Sequence, residues 1–169
     1  MKKIIIIGSC GAGKSTFARN LHGILGIEVI HLDQHFWKPK WTRTESEEWR
    51  ARVKELMKKD SWIMDGNYRS TMDLRLHQAD TIIWLDFSRL KCFWGILKRR
   101  WKNNRTDNLN QCRERITFEL VKWVLWNFPR YNRKDIIKIT ESSKENKNVY
   151  ILKSKKEIGI FLKNIKKDK

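Results

Sequence analysis

The chain opens Met-Lys-Lys-Ile-Ile-Ile-Ile-Gly-Ser-Cys-Gly-Ala-Gly-Lys-Ser, and no other stretch limits the fold so tightly. The β-branched run Ile4–Ile7 is apolar at every position, which predicts a short strand buried on both faces. Directly after it, Gly8 to Ser15 read Gly-x-x-x-x-Gly-Lys-Ser. A strand, a glycine-rich turn and then a helix form a loop whose N–H groups converge on phosphate oxygens at a helix N-terminus. Gly8, Gly11 and Gly13 allow the positive φ angles and close approach that such a turn needs. A secretion signal cut before Cys10 would need roughly 7–15 apolar residues, far more than the isoleucine run supplies.

This motif assigns roles. Gly8, Ser9, Cys10, Gly11, Ala12, Gly13, Lys14, Ser15 and Thr16 make up the nucleotide cradle. Lys14 reaches the β- and γ-phosphates of ATP, and the Ser15 hydroxyl serves Mg²⁺. Cys10 takes no catalytic role, but its thiol sits where bound nucleotide should slow alkylation.

The remaining chain alternates strands and helices. Strands are expected at Lys3–Ile7, Glu28–Leu32, Ser61–Met64, Asp80–Phe87 and Asn148–Leu152. Helices are expected at Lys14–Leu25, after a Thr44/Glu47 capping box, at Arg89–Asn103, at about Asn110–Asn127, and after a Ser154/Glu157 box. This order predicts an α/β fold: three α/β/α layers around a five-stranded parallel sheet, as in P-loop NTPases. The 169 residues suit a single domain spanning 1–169. Within it, residues 99–133 break the rhythm and read as a lid segment with an adjoining helix. That helix is apolar on two sides (Ile116, Leu120 and Trp123; Phe118, Val121 and Leu125), which suits deep burial or a second subunit, so monomer and homodimer both stay open.

The formal charge is +18. Counting Lys and Arg against Asp and Glu gives about +4 for residues 1–85, about +8 for 86–135 and about +6 for the rest. In the middle segment arginines dominate, which suits an anionic partner. Cys10, Cys92 and Cys112 are far apart and make no Cys-x-x-Cys pair, which fits a reducing cytoplasm. No run approaches the ~20 apolar residues of a membrane span.

In parallel sheets, chemistry gathers at the C-terminal strand ends. Asp33, Asp65 and Asp86 all fall there. His31-x-Asp33-x-His35 has the alternation of a metal site but no further cluster to complete it. Asp33 fits better as a Mg²⁺-water ligand or a general base. Asp86 reads as a cap on the following helix.

Gly8–Ser15, Leu32-Asp33 with Trp37, Pro39 and Trp41, Trp62-Ile-Met-Asp65-Gly-Asn-Tyr-Arg69, Asp80–Asp86, Lys98-Arg99-Arg100 and Trp126–Arg130 together resemble the small P-loop kinases, the adenylate, shikimate and gluconate kinase superfamily. More narrowly, they resemble the bacterial group named DNA topology modulation proteins. The resemblance implies that Asp65 orients Mg²⁺ through water and that Arg69 holds an anionic group of the acceptor. It also implies that Arg99, Arg100, Arg105 and Arg133 close on the transferring phosphoryl, and that Trp37, Trp41, Asp65, Gly66 and Asn67 line the acceptor site. Adenylate kinases have no acid at the position of Asp33, whereas shikimate and gluconate kinases do. This points to a hydroxyl-bearing or otherwise non-nucleotide acceptor, unless Asp33 serves Mg²⁺ alone, and Lys38, Lys40 and Arg69 suggest that the acceptor is anionic.

The competing class is a nucleotide-dependent DNA-binding or topology-modulating regulator, gripping nucleic acid through residues 86–135 and Trp94, Trp101, Trp123 and Trp126. Those tryptophans fall at core spacing, and no DNA-reading module is present.

Overall fold

The computed structural model describes residues 1–101 and 117–167. Five parallel strands form the main sheet: β1 (Lys3–Gly8), β2 (Val29–His31), β5 (Trp62–Asp65), β6 (Thr81–Leu85) and β7 (Asn148–Leu152), in the order β2-β5-β1-β6-β7. A two-residue ribbon, β3 (Trp37–Lys38) and β4 (Thr42–Arg43), stands apart and is antiparallel. The α/β/α expectation holds.

The isoleucine run shows why the layers form. Side chains alternate across a strand. Ile4 and Ile6 enter a core with Phe17 and Leu21 of α1 (Lys14–Leu25), Cys92 and Ile96 of α5 (Arg89–Trp101) and Phe161 of α8 (Lys155–Lys167). Ile5 and Ile7 enter the opposite core with Trp49 and Val53 of α3 (Ser46–Leu56), Met72 of α4 (Met72–Gln78) and Ile136 of α7 (Arg133–Ser143). All four isoleucines are 0% exposed, each worth about 1.5–3 kcal/mol against an exposed position.

Several expectations need correction. The second strand ends at His31, and Leu32 opens a short helix, α2 (Leu32–Phe36), so Asp33 lies in a helical first turn. Thr44 does not cap α3; its hydroxyl donates to the Phe36 carbonyl at 2.6 Å and ties the ribbon to α2. Ser154 and Glu157 do form their box, Glu157 N–H donating to Ser154 Oγ at 3.2 Å. The expected helix over 110–127 begins, among described residues, as α6 (Phe118–Lys122). It continues as a π-helical stretch (Trp123–Asn132) containing Pro129, and runs into α7. The expected loop at 103–110, Arg105, Cys112 and Ile116 lie outside the described residues. Helices α4 and α7 were not expected.

The tryptophans assigned to the core by spacing are instead on the surface: Trp94 is 68% exposed, Trp101 90% and Trp126 58%. Helix α5 turns Cys92 and Ile96 inward because that face meets the phosphate loop, where bulk is excluded. No described helix is long and apolar enough to cross a membrane.

Candidate active site

The phosphate loop leaves β1 at Gly8 and enters α1 through Gly13, which has φ +87. A turn bond from Ala12 N–H to the Ser9 carbonyl, 3.2 Å, closes it. Its crown is pressed on α5. A Cβ on Gly11 would lie 2.0 Å from the Cys92 carbonyl oxygen, and a Cβ on Gly95 would lie 2.1 Å from the Gly11 oxygen. Two glycines, one on each element, permit this contact. Lys14 folds its ammonium onto the Ser9 carbonyl at 3.2 Å. Among the described residues, buried Ser9 Oγ finds no hydrogen-bond partner. An orphan hydroxyl, a lysine resting on a carbonyl and a helix N-terminus together fit an anionic phosphate chain. Thr16 is exposed in the first turn of α1, and Cys10 is half-buried in the loop.

Behind the loop, Asp65 ends β5 and is 6% exposed. Its Oδ2 accepts from Ser15 Oγ at 2.6 Å and lies 3.0 Å from His31 Nδ1. Burial alone would push this carboxyl up. The hydrogen bond from His31, the charge of Lys14 and the Ser15 hydroxyl outweigh it and hold the group below the ordinary carboxylate value. An ionised carboxylate beside a hydroxyl is a hard-oxygen set that fits Mg²⁺, with phosphate and water completing the shell.

The acceptor side grows from the turn after β5. Asn67 uses both ends of its carboxamide on Gly8: it accepts from Gly8 N–H at 3.0 Å and donates to the Gly8 carbonyl at 2.8 Å. Tyr68 has φ 15 and ψ 82, and its hydroxyl donates to Asp33 Oδ1 at 2.6 Å. Burial of the ring and the Asp33 charge raise the phenol far above its usual range, so it stays a donor. The ring packs on Phe36 and Trp49, with centroids 4.7 and 5.0 Å away. Trp37 and Trp41 meet edge to face at 5.3 Å in the ribbon beyond.

The fold has counterparts among solved structures. Deoxyadenosine kinase from M. mycoides with bound dATP aligns with a TM-score of 0.52 and 16% identity, over 98% of this chain and 99% of that one. Shikimate kinase from Acinetobacter baumannii in complex with shikimate aligns with a TM-score of 0.55 and 19% identity, over 98% and 90%. This is the fold of the small P-loop kinases. No family model and no curated protein matches the sequence.

Within that fold, Lys14, Ser15 and Asp65 come together as one group, and Asp33, Asn67 and Tyr68 as a second, joined to the first through Gly8 and His31. Gly66, with φ +144, is the hinge of the turn between them. Arg69 is placed outward: it is 66% exposed at its side chain and pairs with Asp135 of α7 at 3.0 Å. Arg69 and Asn67 share with Asn132 and Asp135 a cleft of ≈ 290 Å³, whose walls include none of Lys14, Ser15, Asp33 or Asp65. Lys38 donates to Glu48 at 2.8 Å. Arg99 lies on the α5 face that carries Cys92 and Ile96, one turn beyond the Gly11 contact, while Arg100 is exposed.

Arg133 makes a two-pronged pair with Asp86, Nε to Oδ1 at 3.1 Å and Nη2 to Oδ2 at 2.9 Å, beside the end of β6. Asp86 therefore does not cap α5; the Ser88 hydroxyl accepts from Lys91 N–H there. The sequence reading missed Arg75, Tyr68 and the His31–Asp65 pair. A cation at core spacing between Met72 and Ala79 was the one available signal for Arg75.

Proposed function

We propose that the protein is an ATP-dependent phosphotransferase that moves the γ-phosphoryl to a small hydroxyl-bearing, anionic acceptor. The observation that carries this reading is the division of labour between two carboxylates. Asp65 is committed to Ser15 and His31 beneath the phosphate loop. Asp33 lies in the first turn of α2, oriented by the Tyr68 hydroxyl. One serves the cation, and the other takes the proton.

The loop N–H groups and Lys14 hold the β- and γ-phosphates. The acceptor hydroxyl gives its proton to Asp33 as its oxygen forms the new bond to the γ-phosphorus. The bond from that phosphorus to the β,γ-bridging oxygen breaks, and its electron pair leaves with ADP. Mg²⁺, held by Ser15 and through water by Asp65, would neutralise phosphate charge when bound. Arg69 anchors the acceptor's anion, exchanging Asp135 for it. Arg99, Arg100 and Arg133 supply positive charge around the transferring group. Deoxyadenosine and shikimate, after which the two structural neighbours are named, both offer hydroxyl groups. The free thiols of Cys10 and Cys92 suit a reducing, intracellular setting. The narrower likeness to the topology modulation group rests on the sequence stretches alone.

ADP release from Mg-ATP across nucleosides, nucleoside monophosphates, sugar acids and small hydroxy acids tests this reading. Acceptor-dependent turnover that is lost in Lys14→Ala and in Asp33→Asn is expected. Turnover at the Lys14→Ala background with every acceptor overturns it.

A further inference from the structure

We propose that Arg75 is the positioning residue of the acceptor side: its guanidinium moulds the turn at residues 66–68 so that Asn67 grips the phosphate loop and Tyr68 holds Asp33. The catalytic meaning of this rests on the phosphotransferase reading, but the structural claim does not.

Arg75 is 0% exposed. Nη1 donates to the Gly66 carbonyl at 2.8 Å. Nη2 donates to the carbonyls of Asn67 and Tyr68, both at 2.9 Å, and Nε reaches the Thr71 carbonyl at 3.4 Å. Every one of these oxygens belongs to the main chain. A buried cation stabilised by neutral dipoles is an expensive way to fill a core position that Leu or Met would fill at no electrostatic cost. Burial lowers its pKa only to about 10, so the charge persists at neutral pH.

The turn explains why the charge is there. Three successive carbonyls converge on one point, where their negative ends repel each other. Gly66, at φ +144, supplies the conformation that lets the chain turn this sharply. A cation at the focus offsets the repulsion between the carbonyls. The planar fork of arginine reaches four oxygens at once, which the single ammonium of lysine does not. With three carbonyls turned inward, the side chains of Asn67 and Tyr68 turn outward to their two targets. Gly8 is the last residue of the strand that feeds the phosphate loop, and Asp33 is the base. One buried guanidinium thus sets the relative placement of the nucleotide half and the acceptor half, and Arg69, beside it in the turn, is left free to exchange partners.

The test compares wild type, Arg75→Lys, Asn67→Ser and Tyr68→Phe, with Lys58→Ala as a surface control. Alkylation of Cys10 by iodoacetamide reads the loop without any turnover. It should rise about three- to tenfold in Arg75→Lys and in Asn67→Ser, and stay at the wild-type rate in Tyr68→Phe and Lys58→Ala. With the acceptor found above, kcat should fall about 10- to 100-fold in Arg75→Lys. Adding Tyr68→Phe to Arg75→Lys should cost little more, because both act through the same contact. Wild-type alkylation in a folded Arg75→Lys overturns the proposal, as do fully additive effects of the two substitutions on kcat. If Arg75→Lys does not fold, Asn67→Ser must still raise alkylation and Tyr68→Phe must still lower kcat; failure of either sinks the idea. If wild type turns over no acceptor, the kinase reading fails, while the alkylation pattern still decides the role of Arg75.

Discussion

Two turns leave neighbouring strands at the same edge of the sheet and are built on different principles. The phosphate loop after β1 is shaped by its own backbone: glycines at 8, 11 and 13, and a crown pressed against main-chain atoms of α5. The turn after β5 has one glycine, Gly66, and takes its shape from a side chain nine residues further on, the guanidinium of Arg75. The first is specified locally. The second is specified from a distance, by a side chain on the helix that follows.

The sharpest way to break this contrast is to add one carbon to each turn. Gly11→Ala places its Cβ 2.0 Å from the Cys92 carbonyl at φ +78, so backbone must move. A stability loss of about 2–4 kcal/mol in urea unfolding is expected, with nucleotide affinity falling alongside. At Gly66 a new Cβ would meet side-chain carbons of Leu32 and Tyr68 at 3.1 Å, a tight contact rather than an overlap with backbone. Gly66→Ala should cost about 1–2 kcal/mol, mostly from its φ. Equal losses would erase the distinction.

Asp65 belongs to both sides, and its titration measures the link. Its folded pKa lies below the ordinary carboxylate value. The stability it contributes is therefore complete above about pH 4 and is lost as pH falls through the depressed folded value. Asp65→Asn should be less stable by about 1–3 kcal/mol at pH 7. The gap should narrow as pH falls below about 4 and through the depressed folded value, as read by urea midpoints at each pH. A gap independent of pH would show that Asp65 contributes through packing alone.

Tyr68→Phe removes one hydrogen bond and keeps the ring stacked. A loss of about 1 kcal/mol is expected, together with a lower kcat and an unchanged nucleotide affinity from equilibrium titration. Smallest is Arg69→Ala. Its pair with Asp135 is exposed, so melting should move by no more than about 0.5 kcal/mol, while the acceptor KM rises.

What could be read from the residues follows the same division. The strand, turn and helix of Ile4–Ser15 could be read, because they lie end to end and each residue type answers a local requirement. The capping box at Ser154 was legible for the same reason. The box at Thr44 was not, because its hydroxyl is used on Phe36 across the ribbon. The exposed tryptophans of α5 misled for a related reason. Spacing shows that a helix has an apolar stripe, but α5 has a second face that meets Gly11, and there the small residues Cys92 and Gly95 decide what is buried. Arg75 and Tyr68 were invisible as functional residues because their roles exist only once α4 has packed.

The double bond between Asn67 and Gly8 has a consequence for how this sequence can drift. A carboxamide offers a donor and an acceptor at the spacing of a peptide group, so Asn67 adds one rung to β5 without adding a residue of extended chain. Aspartate, a single base change away, would set two acceptors against a site that needs one of each. Serine would reach only one of the two atoms, and glutamine would overshoot by a methylene. A replacement at position 67 therefore gives up at least one of the two bonds that hold the end of β1, which is where the phosphate loop begins.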